Sequence, residues 1–231
     1  MPSEAFGPIG LVGGDEFRAP AMAFDRLLLS LAPRSPASVA ILPTAAAADG
    51  NPYFAAAHGV EHFERVGASA YSVNIYDAAT ANDGAIVDEL RRADVVYFAG
   101  GSPSHLLASL KNSVAWSCLL DLAQKGVIIA GSSAGAMVFG ERMHYRGQDV
   151  DGLGLVPGVV VMPHFERVSE ERAAQLQASL SPGLTLLGIA GATGCVLHDG
   201  EWSVEGPGQV TVISQSGIGS FVAGARFRLP L

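Results

Sequence analysis

The sequence predicts an α/β fold: a mostly parallel sheet flanked by helices, with short antiparallel strands near the C-terminus. Three observations predict it. Short β-branched runs alternate with amphipathic stretches along most of the chain, as in βαβ units. The apolar run 127–130 shows no alternation, as a strand buried on both faces requires. Beyond about residue 182 the runs 195–197, 202–204 and 210–213 are short and separated by Gly, Asp and Pro, as in hairpins at a sheet edge.

The elements follow in order. Residues 8–12 form a first strand that ends at Gly13-Gly14. Phe24, Leu27, Leu28 and Leu31 recur at helical spacing, so 21–31 is a helix. Strand 38–42 stops at Pro43, and 45–48 reads as a small-residue loop. Helix 52–66 leads to strand 68–75, and helix 84–92 to strand 95–99. Gly100-Gly101 turns the chain toward helices 103–110 and 116–124, with Ser102 as a cap and Pro103 in the first helical position. No repeat, low-complexity tract or linker intervenes, so 1–231 reads as one domain.

Composition bounds the function. With 49% hydrophobic residues, 16% charged residues and 28 Gly, the chain is a compact core former rather than a disordered one. The net charge of −8, with only Lys111 and Lys125 as lysines, argues against binding a phosphate backbone. Cys118 and Cys195 form neither a metal-spaced pair nor a disulfide framework, which fits a reducing cytoplasm. The opening MPSEAFGPIG has no basic and apolar leader pattern, and no apolar run approaches a membrane span of about 18 residues. The expectation is a cytoplasmic protein with no membrane or nucleic-acid partner. Edge hairpins and an apolar composition are compatible with a homodimer.

One motif carries chemistry. Ile128-Ile129-Ala130 leads into Gly131-Ser132-Ser133-Ala134-Gly135, a buried strand, a tight turn and a helix start. This fits the G-x-S-x-G nucleophile elbow centred on Ser133, because only that centring puts glycines two residues to either side. The turn lifts the hydroxyl clear of the sheet, and the helix start aims free N–H groups at developing negative charge. Phe98-Ala99-Gly100-Gly101 is a second strand-then-glycine turn, placed to supply another oxyanion donor beside Ala134. A serine needs a base. Of the six histidines, His164 follows the apolar run 159–162 and precedes a helix opening at Glu166. His198 lies in a His-Asp-Gly turn, and His144 lies just beyond the elbow helix.

These landmarks, in order, resemble the peptidase E and cyanophycinase family of serine peptidases, whose fold is similar to class I glutamine amidotransferases. The resemblance runs from Leu11-Val12-Gly13-Gly14 through Leu42-Pro43-Thr44-Ala45, Phe98-Ala99-Gly100-Gly101, the Ser133 turn and Gly152-Leu153-Gly154-Leu155 to Pro163-His164-Phe165. It implies Ser133 as nucleophile, His164 as base, Gly101 and Ala134 as oxyanion-hole amides, and no metal or organic cofactor. It also implies an acid between serine and histidine. Asp151 is the best match, with Asp149, Glu141 and Glu166 as competitors. Relatives that cleave cyanophycin carry Asp-Gln before the histidine. Met162-Pro163 stands here, nearer the dipeptidase branch, and Ser102-Pro103 replaces the usual polar pair after the glycines. Arg167 and Arg172 lie where relatives bind an acidic side chain, which implies a small peptide substrate with N-terminal Asp; Ser102 is a further substrate contact.

Three other readings compete. His58-Gly59-Val60-Glu61-His62 matches the inverted zinc-peptidase motif H-x-x-E-H, although Phe54, Phe63 and Val66 suggest that another face packs on the sheet and leaves the histidines partly solvated. An α/β-hydrolase esterase would need His198 as base. An amidotransferase-like domain that only binds a ligand would need neither base nor acid.

Overall fold

The computed structural model describes residues 6–229. The first five residues of the opening read for a leader lie outside the described residues. An eight-stranded sheet forms the centre. Its parallel part comprises β1 (Ile9–Val12), β5 (Ile128–Ser132), β4 (Val95–Phe98), β2 (Ser38–Leu42) and β3 (Ser69–Ser72), in that spatial order. Three antiparallel strands extend it beyond β1: β10 (Gly194–His198), β11 (Glu201–Glu205) and β14 (Arg226–Phe227). The His198-Asp199-Gly200 turn joins β10 to β11 with both Asp199 (φ 51°) and Gly200 (φ 74°) left-handed, the geometry of a tight hairpin.

Strands β4 and β5 are buried along their whole length, which explains their unbroken apolar runs. Alternate residues of β4 serve two cores. Val95 and Tyr97 pack with Phe24 and Leu28 of α1 (Met22–Ser30) and Phe63 of α3 (Pro52–Val66). Val96 and Phe98 pack with α5 (Pro103–Leu110) and α6 (Val114–Gln124). Burial of each such side chain stabilises the fold by roughly 1.5–3 kcal/mol. Two details differ from expectation. The expected loop at 45–48 is mostly the short helix α2 (Thr44–Ala47). Helix 84–92 divides into α4 (Gly84–Asp88) and a 3-10 turn over Glu89–Arg92.

The chain continues past β5 through α7 (Ala134–Phe139) into a second, six-stranded sheet. Its order is β13 (Gly217–Val222), β12 (Gln209–Ser214), β9 (Thr185–Ile189), β8 (Val156–Pro163), β6 (Gly140–Tyr145) and β7 (Gln148–Asp151). The late strands therefore divide between two sheets instead of extending one edge. Strand β8 again alternates. Val159 and Val161 join the same core as Phe98 and Phe139, while Met162 faces outward beneath α8 (Glu170–Ser179) with Phe165 and Leu176. The helix expected to open at Glu166 is a 3-10 turn over Phe165–Arg167, and α8 starts only after the Ser169 cap. This arrangement sets the end of β8 beside the ends of β1 and β5. Among the described residues no helix is long and apolar enough to cross a membrane.

Candidate active site

Ser133 sits at the junction of β5 and α7 with φ 49° and ψ −108°. A non-glycine residue there occupies a sparsely populated backbone region, and such strain persists only where the surroundings impose it. They do so here: the Ser133 amide donates to the Val12 carbonyl at 2.9 Å, and its carbonyl accepts from Met137 in α7 at 2.9 Å.

The residue just after β1 holds the histidine. Gly13 O accepts the His164 amide at 2.8 Å, and His164 takes a left-handed backbone at the end of β8 (φ 51°, ψ 39°). The imidazole lies across Gly14. A Cβ built there would meet Cε1 at 2.3 Å and Nε2 at 2.5 Å, so glycine is required at this position. The last residue of β1 and the one after it thus tether the two segments that carry Ser133 and His164. Among the described residues no hydrogen bond joins the Ser133 hydroxyl to the ring. His164 Nδ1 is buried without a hydrogen-bond partner, and Glu166 Oε1 faces it at 3.8 Å.

Two backbone amides border Ser133. Ala134 opens α7, where first-turn N–H groups have no intrahelical acceptor. Gly101 has φ 143°, and a Cβ on it would come within 2.4 Å of Ala45 O. Its N–H has no protein acceptor among the described residues.

The family model described as Peptidase family S51 matches residues 11–204. The chain belongs to peptidase family S51. A cyanophycinase of Nostoc sp. is 26% identical over 219 residues, covering 88% of this chain and 72% of the relative. The crystal structure of a peptidase from an acI-B1 Actinobacterium superposes with TM-score 0.84 at 25% identity, covering 97% of each chain. A structure from Listeria monocytogenes EGD-e, 19% identical with TM-score 0.66 and covering 88% of this chain and all of that one, shares the fold. The chain is thus an S51 serine peptidase with an α/β fold.

Asp151 lies on β7 at the outer edge of the second sheet, is 67% exposed and pairs with Arg142. Asp149 holds His144 at 2.7 Å in the same hairpin, and Glu141 accepts the Gly158 amide at 2.8 Å. Glu166 is the competitor that reaches the His164 ring. Burial works to raise its carboxyl, but the Gly191 amide at 2.9 Å, its own backbone amide, and neighbouring His164 and Arg167 hold it below the ordinary carboxylate range.

The remaining expectations separate as well. Arg167 stands 3.4 Å from Glu166 Oε1, next to the site, with its guanidinium largely exposed. Arg172 bonds Gln175 and lines a groove of about 600 Å³ on the outer face, with Glu141, Arg142, His144 and Met162. The Ser102 hydroxyl caps α5, accepting from the His105 amide at 3.4 Å, and contacts Ser104. His198 follows Leu197, which pairs with Ile9, whereas Ser133 follows Ser132, which pairs with Val12. These lie at opposite ends of β1, about 10 Å apart by strand rise alone.

The zinc motif does not converge. His62 is buried at 2% and bonds the buried Asp25 at 2.7 Å, whereas Glu61 is exposed. His62 is therefore not partly solvated as expected; Phe54 is the exposed face and Phe63 the buried one. Among the described residues no group of three or more His, Cys, Asp or Glu could hold a metal ion. One residue near the site escaped the sequence reading. Glu16 accepts from the Gly100 amide at 2.7 Å and from the Ser132 hydroxyl at 2.8 Å. Its only sequence signal is its place just after Gly13-Gly14.

Proposed function

We propose that this S51 peptidase hydrolyses dipeptides or short peptides through Ser133, His164 and Glu166, with N-terminal Asp favoured. One observation carries the reading: Ser133 is held in a strained turn by Val12 while Gly13 holds His164 and Gly14 makes room for its ring.

The chemistry follows from that placement. Nε2 takes the proton as Ser133 Oγ attacks the scissile carbonyl. The Gly101 and Ala134 amides receive the oxyanion, a contribution worth about 10²–10³-fold per donor in serine peptidases. Nε2 then gives the proton to the leaving amine, and water releases the acyl group by the same path in reverse. The Ser133–His164 hydrogen bond forms when substrate fills the site, as catalytic contacts often tighten on binding. Glu166 turns toward Nδ1 to fix the tautomer and to stabilise the imidazolium. Arg167, beside this acid, is the better placed arginine for a substrate carboxylate, and Arg172 lies under the outer groove.

A dipeptide panel with Asp, Glu, Leu, Ala or Gly at the amino end tests the reading. Ser133→Ala lowers kcat by roughly 10³–10⁶-fold with the melting temperature nearly unchanged. Arg167→Ala raises KM for Asp-X dipeptides selectively. Wild-type kcat in Ser133→Ala would reject the nucleophile, and equal rates across the panel would reject the Asp preference.

A further inference from the structure

We propose that Glu16 is a positioning residue that keeps the two halves of the oxyanion hole in register; the proposal rests on Ser133 being the nucleophile. Its two carboxylate oxygens reach two distant segments, Gly100 through Oε1 and Ser132 through Oε2. Each contacted residue immediately precedes a member of the site, Gly101 in one case and Ser133 in the other.

On the first segment, three successive amides are disposed unequally. Gly100 N–H is taken by Glu16, and Ser102 N–H by Ala45 O at 2.9 Å. The Gly101 N–H between them is left for a ligand. With the outer two amides tied and Gly101 held at φ 143° against Ala45, the middle peptide unit is restrained as well. On the second segment, Ser133 N–H is taken by Val12 and the Ser132 hydroxyl by Glu16, which leaves Ala134 N–H at the start of α7. The two segments also touch. A Cβ on Gly100 would lie 2.8 Å from Glu16 Oε1 and 3.3 Å from Ser133 Cβ.

The segment that delivers Glu16 is itself constrained. Asp15 and Phe17, on either side, have φ of 54° and 61°. Phe17 is buried against Phe63 and Tyr97. Glu16 is therefore aimed from a rigid aromatic cluster at the backs of both turns. It touches no reacting atom, so its influence passes through the two donors.

The test compares wild type, Glu16→Ala and Glu16→Gln in three assays: dipeptide hydrolysis, the rate of fluorophosphonate labelling, and inhibition by an aminoacyl boronic acid, whose tetrahedral adduct uses the oxyanion hole. Loss of alignment in Glu16→Ala lowers kcat and labelling rate by about 10²-fold, with KM within about threefold. The boronate weakens by the same factor, and the acid limb of the pH profile stays in place because the contacts of His164 are untouched. Glu16→Gln recovers about tenfold of the loss, since its carbonyl still accepts Gly100 N–H and its amide can donate to Ser132 Oγ. A fall of less than about tenfold in kcat, or a fall with unchanged boronate affinity, overturns the proposal. If Glu16→Ala does not fold, Glu16→Gln decides: kcat and boronate affinity must drop together at constant KM, and a variant equal to wild type overturns it. Failure of the fluorophosphonate to label wild-type Ser133 would instead overturn the nucleophile assignment, and this proposal with it.

Discussion

Replacing Glu166 by Gln removes one negative charge and keeps the side-chain shape. The carboxylate lies 3.8 Å from His164 Nδ1. A full charge pair at that distance is worth about 1 kcal/mol in water and about 4 kcal/mol at an effective dielectric constant of 20. The two side chains keep 30% and 42% of their exposure, so water screens the pair. The lower half of the range applies, about 1–2 kcal/mol. The carboxylate stabilises the imidazolium that forms as Ser133 gives up its proton, so without it the transition state loses about that much. That loss alone lowers kcat by about 5–30-fold. Glu166 carries that charge across the neutral range, because its contacts hold its carboxyl below the ordinary carboxylate range. In the proposed mechanism the ring also loses the group that turns in to fix its tautomer, so kcat falls in all by roughly 10²–10⁴-fold. Rates for Asp-X dipeptides from pH 4.5 to 9, measured on wild type, Glu166→Gln and Asp151→Asn, check both effects. The reasoning is refuted if Glu166→Gln keeps the wild-type kcat while Asp151→Asn loses it.

Gly14→Ala places a Cβ 2.3 Å from the His164 ring at a backbone φ of +115°, so the imidazole must leave its seat. A displacement of about 1 Å costs on the order of 10²-fold in kcat, read directly by steady-state kinetics on the folded variant. Asp25→Ala strands His62 in the core without a partner. Breaking a buried pair costs about 3–5 kcal/mol, which calorimetry registers as a fall in Tm of roughly 6–20 °C. Burial pushes the Cys195 thiol far up and the Cys118 thiol upward, so both resist thiolate chemistry. Iodoacetamide at neutral pH therefore leaves native activity intact, and mass spectrometry finds neither cysteine modified until denaturant is added.

The parts of the fold legible in sequence are those whose neighbours supply a regular environment. Strand Ser38–Leu42 and helices Pro52–Val66 and Pro103–Leu110 have the expected bounds, because buried strands and amphipathic helices write their periods locally. The second sheet wrote no such pattern. Strand β6 reads Gly-Glu-Arg-Met-His-Tyr and β7 reads Gln-Asp-Val-Asp, mostly polar at a sheet edge, and their pairing depends on β8, which follows them. The strands after residue 182 were recognisable as strands, but composition does not say which sheet receives each one. His62 was misread for a related reason: a helix pattern shows which face is apolar, yet a polar residue on a buried face needs a partner, and Asp25 lies 37 positions away.

The same distinction orders the site. Ser133 and His164 stand at ends of strands, and a strand end followed by a small-residue turn is visible in a single stretch of chain. The residues that orient them act through space. Glu16 reaches partners 84 and 116 positions away, so nothing beside it in sequence marks it as more than an acid in a loop. The choice among acids shows the limit most clearly. Chain order favours Asp151, but β7 turns that carboxylate toward Arg142 at the sheet edge, while the short turn after His164 folds Glu166 back on its own neighbour's ring. A two-residue separation reads as too close for a partner in an extended chain. The carboxylate comes within reach only because His164 is left-handed and Phe165–Arg167 coils into a single 3-10 turn, whose central Glu166 is anchored by the Gly191 amide.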